Sequence, residues 1–504
     1  MDYKQFLQPG CKVYMIGIKG TGMCALSELL FHAGVSVSGS DTSETFYTDE
    51  ILTTMGIPYY EGFAVNHLDG KNLGDKPDLV IYSAAYSSDN NCEMAYASGA
   101  AIPMLKYTDA LGVFSSCYDS SGIAGVHGKT TTTALAGTLI QALHLPAQIL
   151  VGSGVSAFGG TSTLSLGQKY FVAETCEYRR HFLSFHPNRI ILTSVEWDHQ
   201  DFFPSYESIR DTFVDYIKLL PNGGELIYCH DDVGAKEVVA LIKKERPDIQ
   251  YIPYGFTAKG DYHIECMKTI EERTQMKLEG FDQIFKLKVS GKHLVLDAAA
   301  AIALTISLAK KEFAVSQLDD ITLSKMSEAL ETFSGSRRRS EILGETNDIL
   351  FMDDYGHHPT AIKTTLEGLK EFYPKRRIIV SFMSHTYTRT AALLEEFSSS
   401  FSSADVLLLH KIYGSAREQY HGGVNGKTLF EHAKKYNKDI HYIEEPLDAK
   451  DFLMKELKPG DLFVTMGAGD NWKLGKVVFA LLQAQGPKIL SAEVLETQSL
   501  GENY

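Results

Sequence analysis

Short continuous apolar runs alternate along this chain with stretches in which apolar residues fall three and four positions apart. The first kind of pattern predicts buried strands and the second amphipathic helices. Residues 12–18 form an apolar run. Met23, Leu26, Leu29 and Leu30 then recur at helical spacing, and Gly34 suits the helix stop. Residues 35–39 predict a second strand, ending at Asp41, and residues 79–83 a third. A polar, Gly/Ser-containing break falls at 115–121. Beyond it, residues 123–124 lead into a glycine turn, 131–142 read as helix, and 171–174 and 189–195 as central strands. After a second break at 335–339, apolar runs at 349–352, 378–382, 406–409 and 462–466 are separated by helical patterns. Strand–helix alternation of this kind predicts α/β units with parallel sheets covered on both faces. The expected organisation is three α/β domains at 1–117, 118–338 and 339–486, then a loosely held polar tail at 487–504. The chain shows no internal repeat.

Length agrees with that division, since 504 residues correspond to about three domains at ~100–200 residues each. The net charge of −15 argues against broad binding to nucleic acid or acidic membranes. It leaves room for anionic small ligands, which glycine loops and arginines can hold locally. The seven cysteines are odd in number, scattered, and without a CxxC, so they read as reduced thiols. The first ten residues lack the apolar run of a signal peptide, and no stretch of ~18 apolar residues stands out. A cytoplasmic protein that spans no membrane is the expectation.

Gly125-Val126-His127-Gly128-Lys129-Thr130-Thr131 lies between a short apolar run and a helical pattern. Glycines let backbone N–H groups approach phosphate oxygens, and the helix N-terminus adds a favourable dipole. Lys129 supplies a cation to the β- and γ-phosphates, and the Thr130 hydroxyl can ligate Mg²⁺. The match to GxxxxGK[ST] is incomplete, because Ile123 stands at the first glycine position. An incidental Gly-Lys-Thr is the competing reading.

A second glycine loop, Gly17-Ile18-Lys19-Gly20-Thr21-Gly22, follows the first strand, with Asp41 about twenty residues on. Lys19 occupies the second glycine position of a dinucleotide fingerprint, where it could contribute charge. A nicotinamide site, another diphosphate nucleotide, and a merely structural turn all remain open. Two central strands end in acidic clusters, 174–177 and 196–201, and strand ends are where ligand sites collect in open α/β sheets. Glu174 is a candidate ligand for a metal carried by a nucleotide, and His199 for a second. Solvated acidic loops are the alternative. Downstream, Asp353-Asp354-Tyr355-Gly356-His357-His358 follows an apolar strand; only one of the adjacent histidines is expected to face a ligand, the other being structural. Arg389 could hold a carboxylate bidentately. Ser336-Arg337-Arg338-Arg339 is a basic run at the presumed hinge.

Taken together, these residues resemble the Mur ligases over roughly 10–485. The carriers are GIKGTGM (17–23), SGSD (38–41), GVHGKTTTT (125–133), VAE (172–174), EWDHQD (196–201), GKHLVLDA (291–298), FSGSRRR (333–339), DDYGHHPT (353–360), HTYTRT (385–390) and MGAGD (466–470). His127 and the DYGHHPT string favour the alanine-adding branch. The resemblance implies a Rossmann-like UDP-sugar-binding domain, a central P-loop-type ATP-binding domain with a parallel sheet, and a Rossmann-like C-terminal domain for the amino acid. It implies an ATP-dependent amide-bond-forming ligase in peptidoglycan synthesis, using UDP-N-acetylmuramate, L-alanine, ATP and Mg²⁺, through an acyl phosphate. Carried over by position, Gly125, Val126, His127, Gly128, Lys129, Thr130, Thr131, Arg338 and Asp354 would meet ATP. Thr130, Glu174 and His199 would hold metal. Lys129, His357 and Arg389 would serve the reaction and the amino acid. Gly20, Thr21, Gly22, Asp41 and Ser83 would line the UDP-sugar site.

Departures from the family pattern bear on specificity. Lys19 replaces Gly, Ser194 replaces Asn, Ala361 replaces Glu, and Leu294 and Asp297 replace two Asn of an adenine-binding string. Met383, Ser384 and Thr386 replace Gln, Pro and Arg, and Glu177-Tyr178-Arg179-Arg180 replaces an ESD-type string. Losing an Arg at 386 removes a carboxylate contact worth ~1.5–3 kcal/mol if charged and buried; Arg179 or Arg180 could substitute. The alternatives are a ligase for another amino acid or a recycled peptide, a non-catalytic UDP-sugar-binding protein, and a nicotinamide dehydrogenase resting on the first glycine loop alone.

Overall fold

The computed structural model describes residues 2–69, 76–270, 273–288, 291–333, 335, 338–414, 418 and 420–484. The chain divides into two compact units, Met1–Arg337 and Arg338–Tyr504.

The first unit opens with a five-stranded parallel sheet. Its order is Tyr59–Glu61, Ser36–Asp41, Lys12–Ile16, Leu79–Tyr82, Met104–Lys106. The order reverses at Lys12–Ile16, so a crevice opens beyond its carboxyl end. Helix Thr21–His32 starts there, and Met23, Leu26, Leu29 and Leu30 are buried as their spacing predicts. The second sheet runs Gln250–Tyr254, Glu225–Cys229, Arg189–Leu192, Asp119–Ala124, Tyr170–Glu174, Ala147–Leu150, Thr163–Ser165, with only the last pair antiparallel. The polar break expected at 115–121 is thus half strand. Ser120 is buried there because its hydroxyl donates to the Ser115 carbonyl (2.5 Å), and its N–H donates to Asn188 Oδ1. The two sheets share contacts within this unit: Thr163 Oγ1 donates to Glu28 Oε2 (2.7 Å) and Gln168 Nε2 to the His32 carbonyl (3.1 Å).

Helix Lys292–Phe313 is, by length and composition, apolar enough to cross a membrane, yet 78% of its most apolar window is buried inside the protein. It packs against helix Lys129–Ala142 as a core element. His293, Asp297 and Thr305 interrupt the apolar run, which hid its length in the sequence. A three-stranded antiparallel sheet, Ile264–Ile270, Arg273–Leu278 and Ile284–Leu287, was not anticipated either. Its middle strand alternates strictly, burying Thr274, Met276 and Leu278.

The second unit is a six-stranded sheet in the order Glu341–Thr346, Ile349–Asp354, Asp461–Gly467, Arg377–Met383, Val406–Leu409, Ile440–Tyr442. All neighbours are parallel except the first pair. The four strands expected here are present. Helix Pro359–Phe372 buries Ile362, Leu366 and Leu369, and helix Asn471–Ala484 buries Leu474, Val478 and Leu482. The expected tail at 487–504 lies outside the described residues, as do Ser336 and Arg337 of the basic run.

Candidate active site

Strand Asp119–Ala124 ends at Gly125, and helix Lys129–Ala142 begins four residues later. Residues 125–131 therefore form a glycine-containing strand–turn–helix loop of the kind that can cradle phosphate. Gly128, at the N-cap, has φ +83°, and a Cβ there would sit 2.5 Å from Asp297 Oδ1. Both facts call for glycine. The neighbouring strand pins the loop: Val126 N–H donates to the Ser194 carbonyl (3.0 Å), His127 N–H to Ser194 Oγ (2.9 Å), and Thr193 Oγ1 to the His127 carbonyl (2.5 Å). Thr132 Oγ1 donates to Asp297 Oδ1 (3.2 Å). So Ser194 and Asp297, noted in the sequence as departures, both support the loop.

Lys129 does not project into open solvent. Its Nζ donates to the Gly125 carbonyl and to both carboxylate oxygens of Glu177, at 3.1 and 2.9 Å. The two side chains are only 12% and 2% exposed. Burial disfavours the Lys129 ammonium, but Glu177 and, more weakly, Glu174 outweigh it and hold its pKa above the ordinary value. Burial likewise pushes the Glu177 carboxyl up, and Lys129 and His199 more than offset it, holding it below the usual carboxylate range. His199 Nε2 lies 3.4 Å from Glu177 Oε1. Its ring tilts against Tyr178 at 4.8 Å, and the Tyr178 hydroxyl donates to Asp201. Glu174 accepts from the Gly152 N–H (2.8 Å). Lys129, Glu177 and His199 thus form one charged cluster, with Glu174 near enough to help raise the Lys129 pKa. Glu174 and the Thr130 hydroxyl are oxygen donors of the kind a hard divalent cation shares with phosphate, and the His199 imidazole is a less usual partner. Glu177, the counter-ion of Lys129, is the residue that sequence reasoning missed. Its signal was position, three residues past Glu174 at the same strand end. Arg180 is committed to Asp215 (2.6 Å), and the Arg179 guanidinium lies 5.4 Å from the Tyr178 ring centre.

At the first sheet, the other glycine loop caps its strand. Gly20 is the N-cap of helix Thr21–His32. A Cβ at Gly22 would come 2.8 Å from the Tyr107 hydroxyl oxygen, so only glycine admits that ring. Thr21 Oγ1 accepts from the Tyr47 hydroxyl (3.1 Å). Asp41 accepts from the Lys19 and Thr42 N–H groups (2.7 and 2.8 Å) and from the Tyr86 hydroxyl (3.3 Å). Ser83 N–H donates to the Ile16 carbonyl (3.0 Å). The loop, Asp41 and Ser83 therefore meet at one crevice. Lys19 does not offer its charge there. Its Nζ, 1% exposed, turns inward to Asp49 (2.9 Å) and the Glu44 carbonyl (3.1 Å), because those acceptors lie beneath the loop.

In the second unit, Arg338 Nε pairs with Asp353 Oδ2 (3.0 Å), and its guanidinium also donates to the Gly467 carbonyl (2.8 Å). Asp354 accepts from the Ser340 N–H and hydroxyl (2.7 and 3.2 Å) and from the Gly356 N–H (2.6 Å). His358 is buried at the N-cap of helix Pro359–Phe372, while His357 is partly exposed, its Nδ1 3.0 Å from the Tyr355 carbonyl. The His357 ring meets His385 edge-on at 5.6 Å. The buried Arg389 guanidinium lies 3.2 Å from His385 Nδ1, and Tyr413 stacks on His385 at 6.0 Å. Thr386, between them in sequence, has φ +66°. His357, His385, Arg389 and Tyr413 form one partly buried cluster of basic and aromatic groups suited to a small carboxylate.

Three family models match nearly end to end: "Mur ligase family, catalytic domain" at 12–118, "Mur ligase middle domain" at 123–305, and "Mur ligase, glutamate ligase domain" at 338–469. A UDP-N-acetylmuramate–L-alanine ligase of Treponema pallidum is 53% identical over 470 residues, covering 93% of this chain and 96% of that protein. The chain belongs to the Mur ligase family. A UDP-N-acetylmuramate–L-alanine ligase of Borreliella burgdorferi is 39% identical, over 92% of this chain and 97% of that relative. Among solved structures, the UDP-N-acetylmuramate–alanine ligase of Thermotoga maritima superposes with a TM-score of 0.71 at 24% identity. It covers 94% of this chain and 99% of that one. The fold is thus the three-domain Mur ligase architecture, with its two sheet domains at 12–118 and 123–305 in one compact unit.

Proposed function

We propose that this Mur ligase joins L-alanine to UDP-N-acetylmuramate at the expense of ATP, in peptidoglycan precursor synthesis. The near-full-length identity to ligases of that name carries the reading; the phosphate loop around Lys129 supports it. The muramate carboxylate oxygen attacks the γ-phosphorus of ATP, the bond to the β-phosphate oxygen breaks, and ADP leaves. The alanine amine then attacks the acyl-phosphate carbonyl, loses a proton, and inorganic phosphate leaves.

Such chemistry rests on positioning and charge neutralisation more than on covalent help. Gly125–Thr131 offers backbone N–H groups and a helix N-terminus to the phosphates. Lys129 places a cation beside charge that moves from the γ-phosphate to the leaving oxygen. Thr130, Glu174 and His199 are the residues to hold Mg²⁺, which would neutralise phosphate charge when bound. Asp41, Ser83 and residues 20–22 line the crevice proposed for the UDP-sugar. Arg389 is proposed to hold the alanine carboxylate, and His357 and His385 to wall its pocket. The Arg338 and Asp354 side chains order residues 338–340 and 354–356, the segments proposed to lie near the nucleotide. ATP and UDP-sugar are cytoplasmic metabolites, so the cytoplasm is the proposed place of work.

The test is phosphate release from ATP with UDP-N-acetylmuramate and, in turn, alanine, glycine, serine or a tripeptide. Release with alanine at the highest kcat/KM is expected. A preference for the tripeptide would turn the reading to a recycling ligase, and no release with any of them would end the enzyme reading.

A further inference from the structure

The cation that the phosphate loop keeps for ATP is already spoken for. Lys129 is gripped by both oxygens of Glu177, at 3.1 and 2.9 Å, and turned back on the Gly125 carbonyl. We propose that Glu177 is a latch on Lys129, a positioning residue that makes nucleotide binding depend on a divalent cation. The inference rests on reading residues 125–131 as the ATP loop.

Glu177 is 2% exposed, and a buried carboxylate is costly without a positive neighbour. To reach a phosphate, Lys129 must leave it. The turn that carries Glu177 is held on its own account and does not depend on Lys129. The Arg180 N–H donates to the Glu177 carbonyl (2.8 Å) and the Phe182 N–H to the Cys176 carbonyl (3.0 Å). Arg179 and Arg180 inside this turn are both left-handed, at φ +52° and +59°. A bare nucleotide would therefore draw Lys129 away and leave Glu177 facing added negative charge, with His199, 3.4 Å away, as its other basic neighbour among the described residues. A nucleotide arriving with a divalent cation, held among Thr130, Glu174 and His199, brings replacement positive charge to the same carboxylate. Glu177 thus opposes cation-free nucleotide and tolerates the cation complex. A carboxylate that merely balanced charge in the fold would affect both forms alike.

The test is ADP affinity by titration calorimetry on the full-length protein, with excess chelator and with Mg²⁺. Wild type, Glu177→Gln, Glu177→Ala and Glu177→Asp are compared after thermal melts confirm folding. Glu177→Gln should bind cation-free ADP about tenfold more tightly than wild type, while affinity for Mg²⁺-ADP changes less than about threefold. Glu177→Ala should shift the same way and decides the matter if the Gln variant does not fold. Glu177→Asp, which keeps the charge, should restore most of the cation dependence. Equal shifts with and without Mg²⁺, or no shift in either, overturn the latch and leave the ATP site standing. Failure of wild type to bind ADP in both buffers overturns the ATP reading and the latch with it.

Discussion

Gly128→Ala separates two reasons for a glycine in the proposed phosphate loop. Backbone conformation is the first: φ is +83°, and an alanine held left-handed costs ~1–2 kcal/mol. Space is the second. The new Cβ would stand 2.5 Å from Asp297 Oδ1 and 3.3 Å from its Cγ, so the carboxylate must move. That oxygen accepts from Thr132 Oγ1, and breaking a hydrogen bond to a buried charged group costs ~1–3 kcal/mol. The single variant should therefore lose about 2–5 kcal/mol of local stability. Asp297→Ala removes the obstruction but not the torsional strain. In a double-mutant cycle the two substitutions should then be less than additive, with a coupling of about 1–3 kcal/mol that recovers the steric part alone. Thermal and urea unfolding of the four proteins measure the cycle, and ADP titration follows the loop itself. Additive effects would show that the side chain of Asp297 does not limit residue 128. A Gly128→Ala protein with wild-type stability and ADP affinity would refute the loop geometry altogether.

Burial raises the Glu28 carboxyl pKa, and its Oε1 is buried without a hydrogen-bond partner among the described residues. A raised folded pKa means that its stabilising share is full below the unfolded value and is lost as pH climbs through the folded one. Glu28→Gln should accordingly gain Tm over wild type at neutral pH and lose that advantage in acid; parallel Tm-against-pH curves for the two proteins would sink the reasoning. Arg389→Lys gives up the planar fork and should raise the KM for alanine by about tenfold while leaving the KM for ATP nearly unchanged. Equal changes in both would remove Arg389 from the amino-acid pocket. Asp353 is buried beside Arg338, so Arg338→Ala should destabilise the second unit by roughly 3 kcal/mol, and adding Asp353→Asn should recover much of it. No recovery in the melt would mean that the pair is not what Arg338 supports.

What the sequence disclosed and what it hid divide along a physical line. Chain-local patterns were legible. The apolar runs at 349–352, 378–382, 406–409 and 462–466 each became a strand, and the spacing of Met23, Leu26, Leu29 and Leu30 became a buried helix face. The strand–turn–helix loop at 125–131 was legible for the same reason, since its glycines, lysine and threonines lie within one short stretch. Hidden features depend on partners far away in sequence. Ser120 reads as a loop residue until the Ser115 carbonyl and Asn188 are known to satisfy it. Lys19 reads as a cation for a diphosphate until Asp49 is seen to take it inward. Asp297 reads as a lost adenine contact, yet it stands 165 residues along the chain from the Thr132 it supports. Glu177 is the most consequential case. Its tetrapeptide breaks the family pattern and so drew notice as a difference in the amino-acid site, with Arg179 and Arg180 as the interest. The fold instead turns Arg180 to Asp215 and directs Glu177 inward to Lys129 and His199. A side chain's charge is visible in the sequence, but the sign of its effect on a ligand depends on which counter-ion holds it first.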